Sequence, residues 1–141
     1  MNIDKFTQKS IEAINGCESV ASDYGNQEIE EEHLLYSLLT IDDSLILKLI
    51  EKMEIQKEHF VNRVEQALEK RVKVQGGQKV WGEHLNRVIT SLAPEEAKQM
   101  GDELIAVEHL FLAMIKYPNK EIAEIFKEYG ITRERFLQVL M

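Results

Sequence analysis

The chain repeats itself. Ala21, Gly25, Ile29, Glu32, His33, Leu34, Ile46, Ile55, Glu58 and Phe60 recur, in order and without a gap, as Ala97, Gly101, Ile105, Glu108, His109, Leu110, Ile122, Ile131, Glu134 and Phe136. The shift is 76 positions throughout (21 to 97, 60 to 136). Leu38, Leu49, Ile50 and Val61 exchange for Met114, Ile125, Phe126 and Leu137, so apolar stays apolar. A match this long marks a duplicated structural unit rather than a short motif. Two such halves can pack against each other, and their seam is a natural place for a binding groove.

Within each half the apolar spacing is helical. Phe6, Ile11, Ile14, Cys17, Ala21 and Tyr24 fall mostly three or four apart, which is one helical face. Asp4 or Thr7 can cap this first helix, and Gly25 fits a left-handed stop. Gly16 inside it is a weak point, costing about 1 kcal/mol relative to Ala. Glu30 begins a second helix, with Leu34, Leu35, Leu38 and Leu39 inward. Asp42 or Asp43 caps a third, carrying Leu45, Ile46, Leu49, Ile50 and Met53. A fourth runs from about Gln56 to Arg71. The second half follows the same plan: Val107 to Tyr117 matches the second helix, Asn119 caps the next, Gly130 ends it and Thr132 caps the last. Pro94 should kink or split the fifth helix, because it lacks a backbone donor and clashes with the preceding turn. The prediction is all-α, eight helices in two sets of four, with no strand. One domain spans 1–141: repeat one 1–71, a linker 72–80 containing Gly76-Gly77, and repeat two 81–141.

Composition excludes several classes. The formal charge of −8 argues against a general nucleic-acid binder, which needs clustered Lys and Arg. Lys70-Arg71-Val72-Lys73 is short and sits at a helix end, where it complements the helix dipole. The longest apolar run is too short to cross a bilayer. Met-Asn-Ile-Asp-Lys-Phe has no secretory pattern. The single cysteine, Cys17, cannot form an internal disulfide, so a reducing cytoplasm is the expected setting. On an apolar helix face, Cys17 reads as a small hydrophobe with no base beside it.

The paired Glu-His-Leu triplets invite a metal reading. Glu30-x-x-His33 has the spacing used by di-iron helical bundles, but position 106 in the second half is Ala, so the matching ligand is absent. Each His is better read as packing at its helix start and hydrogen-bonding a nearby turn. A helical-bundle metalloenzyme using Glu30, His33, Glu108 and His109 is the rival from a different class. Gly76-Gly77-Gln78-Lys79 lacks phosphate-loop spacing. Glu28, Glu30, Glu31 and Glu32 read either as a solvated run favoured by the helix dipole or as a patch for cationic peptides. Trp81 reads as a packing plug.

Glu-His-Leu after Gly-x-x-x-Ile, present in both halves, resembles the Clp N-terminal repeat domain. Phe6-Thr7-Gln8-Lys9-Ser10 with Glu12-Ala13-Ile14, Tyr24-Gly25-Asn26-Gln27-Glu28-Ile29, and the stretch from Val72 through Gly76-Gly77 to Leu85-Asn86-Arg87-Val88 resemble the branch of ClpB-type disaggregases. The resemblance covers essentially the whole chain. It implies the N-terminal domain of a ring-forming, hexameric AAA+ unfoldase. Such a domain is not an enzyme and binds no cofactor itself; ATP belongs to the parent's AAA+ modules. It implies capture of unfolded or aggregated polypeptide, or of adaptor proteins, with no nucleic acid and no membrane. Carried over by motif, the client-binding residues are Thr7, Asp102 and Glu108, with Leu92 and Leu110 near an apolar groove floor. In ClpC-type relatives the repeat glutamates contact phosphorylated arginine, which implies Glu32 and Glu108 here and an alternative role in a ClpC- or ClpA-type protease-associated unfoldase. The sequence departs from the family at Pro94, at Ala106-Val107, where a small polar pair usually caps the helix, and at His109, where some ClpB proteins carry Leu.

Overall fold

Residues 3–141 are described by a computed structural model. Met1 and Asn2, which open the stretch read for a secretory signal, lie outside the described residues. Thr7 starts helix α1 (Gln8–Tyr24): its Oγ1 accepts from the Ser10 N–H, and Gly25 ends the helix in the left-handed region at φ 71°. Gly101 does the same in the second half at φ 75°, a conformation that strains residues with a Cβ. Helix α2 is Glu31–Thr40, α3 is Leu45–Lys52 and α4 is Lys57–Glu69.

The second set begins with α5 (Glu83–Arg87), which runs through a π-helical segment, Val88–Leu92, into α6 (Ala93–Gln99). The widened turn answers Pro94. The Ala93 N–H reaches back five residues to the Val88 carbonyl, and Pro94 follows in the first turn of α6, where its missing donor does no harm. Helices α7 (Val107–Lys116), α8 (Lys120–Glu128) and α9 (Arg133–Leu140) complete the chain. With α5 through α6 taken as one helix, the described residues hold the eight helices the periodicity predicts, in two sets of four.

Local details differ from expectation. Ser44, not Asp42 or Asp43, caps α3: its Oγ accepts from the Leu47 N–H and donates to the Leu38 carbonyl. Asp43 instead takes a left-handed backbone, φ 55°, and pairs with Lys48. Gly16 is a point of close approach as well as a helix breaker, since a Cβ there would stand 2.5 Å from Ser37 Oγ. That hydroxyl donates to the Ala13 carbonyl, stitching α1 to α2. Trp81 is 41% exposed and is not a plug.

Two short strands were not expected. Strand β1 (Glu28–Ile29) pairs in parallel with β2 (Val80–Trp81), Glu28 opposite Val80 and Ile29 opposite Trp81. The counterpart in the second half is a bridge between Phe6 and Ile105, in which Thr7 N–H donates to the Ile105 carbonyl and Ile105 N–H to the Lys5 carbonyl. The segment leading into each set's first helix is thus stitched to the other set. Beneath these exchanges lies one core, with Phe60, Leu34, Leu35, Leu110, Phe111 and Phe136 fully enclosed. Helices α1, α2 and α3 all contact α7 across the seam. No helix among the described residues is long and apolar enough to cross a membrane.

Candidate functional site

The two halves part company at two consecutive positions. Where α2 begins with Glu30-Glu31-Glu32, α7 begins with Ala106-Val107-Glu108. Glu30 is the N-cap residue of α2 and is buried. Its Oε1 accepts from the N–H groups of Glu31 and Leu85, and its Oε2 from that of His84. One carboxylate therefore serves the starts of α2 and of α5, and the helix dipoles favour its charge there. Burial raises the Glu30 carboxyl's pKa, while the three backbone donors act in the opposite direction. The side chain fits because residue 82 is glycine; a Cβ there would overlap the carboxylate.

Glu31 is fully buried. Its Oε1 accepts from the Asn119 N–H at 2.6 Å, and Oε2 has no hydrogen-bond partner among the described residues. Burial, with Glu30 and Glu32 nearby, pushes its pKa up to about 9 although the Asn119 N–H opposes the rise, so the carboxyl is neutral at pH 7. Glu32, 3% exposed, accepts from Asn119 Nδ2 on one oxygen and from Arg71 on the other, both at 2.7 Å. The same guanidinium reaches Glu28. Glu30, Glu31 and Glu32 are therefore not a solvated face, although Glu28 stays exposed: Glu31 and Glu32 hold α8 through its cap residue Asn119.

The histidines do the same job with different partners. His33 Nδ1 accepts from the Glu30 N–H at 2.9 Å, and its Nε2 meets Asn26 Oδ1 at 2.9 Å. His109 Nδ1 accepts from the Ala106 N–H at 2.8 Å, and its Nε2 meets Asp102 Oδ2 at 2.8 Å. Each ring thus supplies the capping contact at its helix start. Ala106 offers no side-chain acceptor, so the α7 start depends on His109. Burial lowers the His33 pKa to about 4, with Arg71 adding to the effect.

Metal ligation by this set is closed off by these contacts. The Glu30 carboxylate is taken by backbone donors, and both nitrogens of each ring are engaged. No group of three or more His, Cys, Asp and Glu able to hold a metal occurs among the described residues. Cys17 is enclosed in the core, and burial pushes its thiol pKa up.

The six residues expected to bind clients do not share one groove. Thr7 joins the Phe6–Ile105 bridge, and Asp102 and Glu108 stand three residues to either side of Ile105 in the chain. Thr7 N–H holds Ile105, Asp102 lies three residues before it, and Glu108 lies in the first turn of α7. Exposed Ile3, Met100 and Leu104 flank this group along the chain. Glu108 is half-buried and has no side-chain partner among the described residues. Leu110 is fully enclosed and Leu92 is 8% exposed. Both belong to the core, so neither forms a groove floor. Glu32 lines a different feature, a cleft of about 480 Å³ that also includes Glu28, Lys70, Arg71, Val74 and Glu121. Sequence reasoning missed the contacts of Arg71 and Asn119 with the acidic run and the Glu30 cap over α5. The available signal was the break in repeat symmetry at positions 30 and 31.

Residues 5–129 match the family described as Clp repeat (R) N-terminal domain. The chain belongs to that family. A Clp N-terminal domain is non-catalytic, as the sequence resemblance implied. Among curated relatives, the chaperone protein ClpB of Nitratidesulfovibrio vulgaris is 34% identical over 146 residues, covering 99% of this chain. That of Bacillus anthracis is 31% identical over 145 residues and covers 100%. The chain spans 17% of the length of each. Among solved structures, the Hsp104 N-terminal domain from Candida albicans superposes with a TM-score of 0.81 at 22% identity, covering 96% of this chain and 88% of that one. A ClpV N-domain in complex with a VipB peptide gives 0.74 at 21% identity, covering 98% and 88%. These last two show the shared fold.

Proposed function

We infer that this Clp N-terminal domain captures unfolded or aggregated polypeptide for a ClpB-type disaggregase. In this proposal the parent is a hexameric cytoplasmic AAA+ machine whose ATP is bound in other modules. The observation that carries it is the asymmetry between the two helix starts. In the first, every glutamate is committed to holding the fold. In the second, among the described residues, Glu108 has no side-chain partner and Asp102 keeps one oxygen free, Thr7 is bonded to Ile105, three residues from each, and exposed Ile3, Met100 and Leu104 flank them along the chain. An extended segment laid there finds apolar contact for its side chains and acceptors for its N–H groups and any cationic end. The peptide complex of the ClpV N-domain supports peptide capture by this fold.

The energetics suit transient capture. Burying about 400 Å² of apolar surface contributes roughly 10 kcal/mol gross, against an association cost on the order of 4–15 kcal/mol. Several domains on one ring raise the effective affinity without new contacts. Adaptor or phosphoarginine docking through Glu32 and Glu108 together is disfavoured, because Arg71 already occupies Glu32.

Chemical-shift mapping with an extended Leu- and Val-rich peptide tests the proposal. Shifts should cluster at residues 3–8 and 100–109. Glu108→Gln should weaken binding roughly 3- to 10-fold, the loss of one partly exposed charged acceptor. Glu32→Gln should leave affinity unchanged and lower stability by about 1–2 kcal/mol through loss of the buried Arg71 contact. Shifts spread evenly over the surface, or an affinity that depends on Glu32 and not on Glu108, overturn it.

A further inference from the structure

We propose that His109 is a positioning residue for client capture: it aims Asp102 and Glu108, and the negative charge it holds in place on Asp102 is there for the client rather than for the fold. The proposal rests on the client-binding function above and adds to it the residue that sets the geometry.

The ring's protonation pattern follows from its partners. Nδ1 accepts the Ala106 N–H at 2.8 Å, so the proton of the neutral ring sits on Nε2. Nε2–H therefore donates to Asp102 Oδ2 at 2.8 Å. One ring ties the α7 start to the loop that follows Gly101. Glu108 lies between Ala106 and His109 in the chain, in the first turn of α7 that the ring anchors. The Asp102 side chain remains 46% exposed while the ring beside it is 1% exposed. Its Oδ1 has no partner among the described residues. The imidazole thus spends one carboxylate oxygen on orientation and leaves the other facing outward.

Repeat one supplies an internal control. His33 makes the same two contacts at the same distances to within about 0.1 Å, but its Nε2 acceptor is the buried amide of Asn26. Asn26 in turn donates to the Val72 carbonyl. A neutral amide is therefore sufficient to complete the bridge that this building block needs. The carboxylate at the matching place in repeat two adds a charge that the bridge does not require. That charge is exposed, and Glu108, next to His109 in the chain, has no side-chain partner among the described residues.

Fluorescence anisotropy with a labelled Leu- and Val-rich peptide bearing a free amino terminus, read alongside histidine ring NMR, tests this. Asp102→Asn should weaken binding roughly 3- to 10-fold while preserving the Nε2–H signal of His109 and the melting curve. His109→Gln should weaken binding by a similar factor although both carboxylates remain, and the double variant should be no worse than either single one, since the two residues act as a unit. If His109→Gln fails to fold, the wild-type ring decides: peptide should shift the His109 Nε2 resonance and leave that of His33 unmoved. Normal affinity in His109→Gln, or a peptide that perturbs Glu108 and Asp102 without moving the His109 ring, overturns the positioning role while client capture stands. Unaltered affinity in Thr7→Ala, Asp102→Asn and Glu108→Gln together overturns client capture itself.

Discussion

Repeat one and repeat two open their second helices with the same Glu-His-Leu, yet the glutamate has opposite fates. Glu32 is sealed between Arg71 and Asn119, whereas Glu108 has no side-chain partner among the described residues. The two residues before it explain the difference. Glu30 and Glu31 reach across the seam to α5 and to the start of α8. Ala106 and Val107 reach nothing polar with their side chains. Duplication supplied two equivalent surfaces, and two positions in one copy, 30 and 31, turned its surface into the clasp that joins the halves. The other copy was thereby left free to meet something else. Identical motifs in a repeat protein therefore need not share a role; the neighbours of the motif decide.

The comparison can be broken most forcefully at Gly82. Gly82→Ala pushes a Cβ into the Glu30 carboxylate and should cost about 2–4 kcal/mol, because a buried acid loses three backbone donors. A urea melt reads this directly; a change below about 0.5 kcal/mol would mean that the clasp at Glu30 does not hold the halves together.

Glu31 offers a finer test with a definite sign. Its folded pKa of about 9 lies above the ordinary 4.5, so the folded state retains a proton that the unfolded chain releases. The stability this group contributes is fully present below about pH 4.5 and is lost as pH rises through about 9. Glu31→Gln keeps an acceptor for Asn119 and cannot ionise. It should lie close to the parent near pH 5 and exceed it by on the order of 4 kcal/mol near pH 8. Parallel melting temperatures across that range would show that the carboxyl is not held neutral. His33 acts at the other end, since its folded pKa of about 4 lies below the ordinary 6.5. Its contribution is present above pH 6.5 and is lost as pH falls toward 4.

The smallest effect is at the end of α3. Glu54 adopts a left-handed backbone, φ 63°, where repeat two has Gly130 at φ 65°. Glu54→Gly should stabilise the fold by about 0.5–1 kcal/mol by relieving backbone strain. A loss of stability would show that the Glu54 side chain contributes more than its backbone costs.

Much of this was legible before any coordinates. The 76-residue shift and the apolar spacing fixed the helices, Asn119 and Thr132 cap as read, and of Asp4 and Thr7 it is Thr7 that caps the first. The α3 cap was misread because three adjacent residues, Asp42, Asp43 and Ser44, can all serve, and only the backbone decides. The strands escaped notice because two residues carry no period. Leu92 and Leu110 were misplaced because a groove floor and a core are equally apolar in sequence. The clasp was illegible for a different reason: Glu30 and Leu85 are 55 positions apart, and no local pattern reports such a pairing. What the sequence did contain was the inequality between the copies at 30 and 106.

The exchanged lead-in strands carry a mechanical consequence. A pull on the first residues loads Ile105 before it loads α1, and a pull on the stretch before α5 loads Ile29. Neither half can be peeled away while the other stays intact. Tension entering at either point is shared by both, and the domain should yield as one unit rather than in two steps.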